Sequence, residues 1–102
     1  MEQYPTDLTD EQWALVSHLL PSAKKGGRPR STDLRQVLNA LLYLAKAGCH
    51  WRLLPKDFPP WRTVYGYFDS WGKRGVLRKI HRALYYLARK QAGRSRRPNI
   101  II

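Results

Sequence analysis

Negative charge is scarce in this sequence, and what there is lies mostly at the front. Seven Asp and Glu stand against 19 Lys and Arg, for a formal charge of +12. After Asp69 there is no carboxylate at all. Residues 1–23 carry Glu2, Asp7, Asp10 and Glu11 with no Lys or Arg, and the remainder carries all 19 basic residues with only Asp33, Asp57 and Asp69. Asp57 and Asp69 sit in different local contexts with no third carboxylate after them, which suits a helix cap or a surface ion pair better than catalysis. Cysteine is nearly absent: the lone Cys49 excludes an internal disulfide. Cys49-His50, His18 and His81 offer no pair of ligands at structural-zinc spacing, so no metal centre is expected. Long apolar runs are missing too, none approaching the roughly 18 residues of a membrane helix. The acidic start, Met1-Glu2-Gln3-Tyr4-Pro5, lacks the apolar stretch of a signal peptide. The expectation is a cytoplasmic, nucleoid-associated protein with no membrane partner and no small-molecule substrate.

What remains is a chain of 102 residues, 43% hydrophobic, which fits one domain with one core and little room for an enclosed cleft. Its charge is polarised rather than mixed, which points to a face that meets phosphate. Nucleic acid is the first partner to consider and an anionic membrane surface the second.

The apolar spacing predicts an all-α fold, a small four-helix domain with a helix-turn-helix-like core. The first helix, 10–20, starts at Thr9, with Gln12 at the capping-box position, and stops before Pro21. Residues 21–31 read as an exposed linker. The second helix, 33–47, carries Leu34, Val37, Leu38, Leu41, Leu42 and Ala45 on one stripe and ends at Gly48. Residues 48–59 form a packed connection with a short helical turn at 51–54. The third helix opens at Pro60 and runs to 73, with Trp61, Val64, Tyr65, Phe68 and Trp71 inside and Arg62, Thr63, Gly66, Tyr67, Ser70 and Lys73 outside. The fourth, 75–91, buries Val76, Leu77, Ile80, Leu84 and Leu87 and exposes Arg78, Lys79, Arg82, Arg89 and Lys90. The helical domain is placed at 1–92, followed at 93–102 by a basic tail and the β-branched run Asn99-Ile100-Ile101-Ile102.

Two constellations suggest double-stranded DNA. In a helix-turn-helix the second helix enters the major groove with its N-terminal residues at base edges. Arg62, Thr63 and Tyr67 occupy those positions, and arginine can read guanine through two hydrogen bonds. The linker segment Lys24-Lys25-Gly26-Gly27-Arg28-Pro29-Arg30 is slim and basic, and Arg28 and Arg30 suit a narrow minor groove. Lys73, Arg74, Arg78, Lys79 and Arg82 are placed on phosphates, and Lys24, Lys25 and Arg52 complete the candidate DNA-binding set. Each feature has a plainer alternative: an amphipathic bundle helix, a solvated linker, a solvated basic face. Aromatics interleaved with basic residues can also bind single strands by stacking, but at helical spacing Trp61, Tyr65 and Phe68 read as core.

Several segments, taken in order, resemble the N-terminal part of insertion-sequence transposases of the four/five superfamily. They are Tyr4-Pro5-Thr6-Asp7-Leu8-Thr9-Asp10-Glu11-Gln12-Trp13, the Lys24–Arg30 segment, Gly48-Cys49-His50-Trp51-Arg52-Leu53-Leu54-Pro55 and Asp57-Phe58-Pro59-Pro60-Trp61-Arg62-Thr63-Val64-Tyr65. The resemblance spans nearly the whole chain. It implies a helical, helix-turn-helix-like domain that binds the element's terminal inverted repeats. In that family a ribonuclease-H-like domain follows, whose three carboxylates hold two Mg²⁺ ions for strand transfer. None of those carboxylates has a counterpart here, so no cofactor and no catalysis are expected of this chain. Asn99-Ile100-Ile101-Ile102 looks like the start of the strand leading to the first of them. A first reading frame of a two-frame element and a truncated copy both fit this pattern. Two further roles stay open: a regulator that represses full-length transposase, and a module that self-associates through its last helix.

Overall fold

The computed structural model describes residues 4–21 and 32–95. Four α-helices are found among them, and no strand: α1 (Asp10–Val16), α2 (Leu34–Ala47), α3 (Trp61–Lys73) and α4 (Val76–Ser95). The all-α expectation is therefore met. The linker at 22–31, with Lys24, Lys25, Arg28 and Arg30, lies outside the described residues, as do positions 96–102 with the isoleucine run.

Local chemistry explains most boundaries. Thr9 caps α1 through a complete capping box: Gln12 N–H donates to Thr9 Oγ1 at 3.1 Å, and Thr9 N–H donates to Gln12 Oε1 at 2.9 Å. The α-helix then tightens into a 3-10 turn over Ser17–Leu19, shorter as an α-helix than the spacing predicts. The cause is Pro21, which holds Leu20 extended at φ −78 and ψ 141. Asp33 caps α2 by accepting from Arg35 N–H at 3.0 Å, and Gly48 ends it in the left-handed region at φ 68. A second 3-10 turn covers Trp51–Leu53, within the expected short turn, and His50 Nδ1 caps it by accepting from Arg52 N–H at 3.2 Å. Pro60 sits just ahead of α3, its carbonyl accepting from Thr63 and Val64 N–H at 2.9 and 3.1 Å. Gly75, at φ 76, makes the tight corner between α3 and α4. α4 continues to Ser95, past the expected end at 91, so the start of the expected basic tail is helical. A single internal glycine, Gly93, weakens a helix without stopping it.

The helices pack in the spatial order α2, α3, α4, α1. Val16, Val37, Ala40, Val64 and Trp71 are at most 2% exposed, and Val76 and Ile80 of α4 close the core with Leu54 and Phe58 of the connection. Burying the valine, leucine, isoleucine and phenylalanine side chains among these stabilises the fold by roughly 1.5–3 kcal/mol each. The segment before α1 is tied to α2. Buried Asn39 accepts from Leu8 N–H at 2.8 Å, and Arg35 Nη2 donates to Leu8 C=O at 2.8 Å. Tyr4, Tyr43 and Phe58 cluster nearby, with ring centroids 5.0 to 5.4 Å apart.

Candidate nucleic-acid interface

α3 is the element that the sequence places against DNA, and its two faces differ sharply. Val64 and Trp71 are buried, and the Tyr67 ring packs on Trp71 at 5.0 Å and is half-buried. The expected outer position of Tyr67 is thus corrected: it faces the core. Tyr65 and Phe68 are corrected the other way, at 47% and 42% exposed. They lean sideways on half-buried Trp51, with centroids 5.2 and 5.4 Å away. The true inner face lies roughly 60° around the helix from the one expected, at 100° per residue. Thr63 is half-buried and Arg62 exposed.

The outward face of α3 therefore carries Arg62, Gly66, Asp69 and Lys73, at intervals of three or four residues. Lys73 Nζ lies 3.1 Å from Asp69 Oδ2, so its charge is partly answered inside the helix. Nothing lies within 4 Å of where a Cβ on Gly66 would stand. No side chain caps the N-terminus of α3. On α4, Arg78, Lys79, Arg82, Arg89 and Lys90 are exposed as expected, and so is Arg74 at the corner. Arg78, Arg82, Tyr85 and Arg89 share one outward stripe, with the Arg89 guanidinium 5.8 Å from the Tyr85 ring centroid. The structure thus brings Arg52 and Arg62 together at the start of α3 and leaves the α4 set as a separate stripe.

The carboxylates named here, all among the described residues, are occupied. Asp10 pairs with Arg35 at 3.0 Å, Glu11 accepts from Gln91 Nε2 at 3.2 Å, and Asp57 accepts from the Tyr4 hydroxyl at 2.6 Å. That last bond, first among the causes, pushes the Tyr4 hydroxyl up to about 12. Asp33 caps α2 and Asp69 holds Lys73. Among the described residues no three His, Cys, Asp or Glu side chains gather, and this donor set does not fit a two-metal centre. An apolar cavity of about 430 Å³ lies between α2 and α4, lined mainly by leucines with Trp51, Phe68, Cys49 and His81. No helix among the described residues is long and apolar enough to cross a membrane.

Residues 8–81 match the family model described as "Putative transposase of IS4/5 family (DUF4096)". The chain belongs to this family. The match covers α1, α2, α3 and the first turns of α4, and so includes Arg52, Trp61 and Arg62. A relative in Sinorhizobium fredii (strain NBRC 101917 / NGR234), "Uncharacterized protein y4sN", is 37% identical over 70 residues, which are 69% of this chain. The match spans 56% of that protein's length. No solved structure matches.

For this transposase-family chain, sequence reasoning missed one feature of the candidate site: the Trp61 indole is shared by two arginines. Arg52 Cζ lies 5.5 Å, and Arg62 Cζ 5.4 Å, from its centroid. The adjacency of Trp61 and Arg62 was a usable signal; the approach of Arg52 depends on how the 3-10 turn folds against α3.

Proposed function

We propose that this chain is a DNA-recognition domain of an insertion-sequence transposase, which binds the element's terminal inverted repeats and performs no catalysis itself. The second and third helices act as a helix-turn-helix with a long, packed turn. α3 lies in the major groove with Arg62 at base edges, while Arg74, Arg78, Lys79 and Arg82 hold phosphates. Arg28 and Arg30 of the linker take the minor groove.

The outward face of α3 carries this reading. A glycine in a helix interior costs about 1 kcal/mol relative to alanine. At Gly66 nothing within the fold uses the missing side chain. A bare patch at Gly66, between Arg62 and Asp69, instead lets a large partner come close to the helix. The start of α3 points the same way, since no side chain caps it and the helix dipole favours phosphate there. The exposed cations of α4 support nucleic acid over close self-association through that helix.

The test is Arg62→Ala, measured on a terminal-repeat duplex and on a scrambled duplex. Loss of about 1–3 kcal/mol on the repeat, with little change on the scramble, is the expected result. Equal loss on both would remove Arg62 from base reading.

A further inference from the structure

Arg52 and Arg62 come from different elements and converge on one ring. The 3-10 turn holding Arg52 is anchored on both sides. Trp51 packs edge-on against Tyr65 at 5.2 Å and Leu54 is buried, while His50 accepts the Arg52 N–H. Trp61 is itself half-buried against the core, so the platform is fixed. Both arginines are exposed, and among the described residues neither has an ion pair with a carboxylate. Two unanswered cations on one surface repel each other. The attraction of each guanidinium to the indole offsets part of this, at about 0.5–1 kcal/mol at an exposed site. It is an attraction of charge to the ring and takes up no hydrogen-bond acceptor. The in-plane N–H donors, which match phosphate oxygens or a guanine edge in pairs, stay free.

We infer that Trp61 is a positioning residue that presents Arg52 and Arg62 as one unit, Arg52 to the backbone phosphate beside the base that Arg62 contacts. This rests on the DNA-binding reading above. The gain is preorganisation: side chains already held in place lose less freedom on binding. The two contacts are therefore coupled through the ring, and lysine, which has the charge without the plane, does not replace arginine at either position.

The experiment is a double-mutant cycle. Arg52→Ala, Arg62→Ala and the double variant are titrated into a fluorescein-labelled duplex of the element's terminal repeat, in the wild-type and Trp61→Leu backgrounds. Each single variant should weaken binding about tenfold. The double variant should lose less than the product by about fivefold or more, which is the size of coupling seen for residues in one network. In Trp61→Leu that coupling should vanish, while Trp61→Phe keeps part of it. Arg52→Lys should bind more weakly than wild type with an unchanged salt slope. Far-UV circular dichroism reports folding of each variant. If Trp61→Leu does not fold, the arginine cycle decides, since both side chains are exposed. Independent arginines, or an Arg52→Ala variant that binds like wild type, would overturn this inference and leave DNA binding standing. A wild-type chain that binds no duplex would overturn both.

Discussion

Asn39 holds the N-terminal segment at the scale of a single residue. It is 4% exposed, and its Oδ1 satisfies the backbone N–H of Leu8. Asn39→Leu keeps the bulk and orphans that donor, so urea unfolding should show a loss of about 1–3 kcal/mol. An unchanged midpoint would mean that the segment finds another acceptor. Tyr4 gives a pH-dependent counterpart. Its hydroxyl donates to Asp57, and its pKa moves up from 10.0 to about 12. The folded chain thus holds this proton more tightly than the unfolded chain. The contribution is complete below pH 10 and is lost as pH rises towards about 12. Tyr4→Phe should flatten that part of the stability profile relative to wild type, as read from thermal melts at stepped pH. Parallel profiles would show that the bond does not matter to folding.

Among the elements, α2 and α3 show what the sequence makes legible. α2 has aliphatic residues on one stripe, a capping Asp33 and Gly48 at a left-handed stop, and its bounds agree to one residue. The capping box of α1 was equally readable, because such bonds join residues three apart. α3 was harder. Its aromatic residues are amphipathic, and Tyr65 and Phe68 bury an edge on Trp51 rather than entering the core. Spacing does not separate a ring packed sideways from one packed inward, so the inner face was placed too far round and Tyr67 put outside. The position of Arg52 beside Trp61 was invisible for a similar reason, being made by a turn that meets the helix only in three dimensions. Gly66 offers a test at this scale. Its outward site is open, so Gly66→Ala should stabilise the fold by about 0.5–1 kcal/mol. If α3 meets DNA closely there, a larger Gly66→Leu side chain should weaken duplex binding without unfolding the domain. Unimpaired binding by that variant would move the interface off this face.

At the scale of the whole molecule, Asp10 and Glu11 of the acidic front stay on the surface and engage neighbouring helices. Asp10 engages Arg35 of α2, and Glu11 accepts from Gln91 of α4. The cations of the 3-10 turn, of the start of α3 and of the outer side of α4 stay exposed, and Asp69 answers only Lys73. This segregation follows from the order of charges along the chain: a carboxylate-bearing first helix packs beside a last helix that has none of its own. Membership of the transposase family and the exposed cation surface are the two supports of the proposed DNA binding. The direct test is fluorescence anisotropy of this chain with a terminal-repeat duplex and a scrambled duplex, from 50 to 200 mM salt. About five phosphate contacts predict a loss of affinity of roughly several hundredfold over that range, with the repeat preferred throughout. Equal binding to both duplexes would contradict site recognition, and salt-independent binding would contradict the phosphate-facing surface.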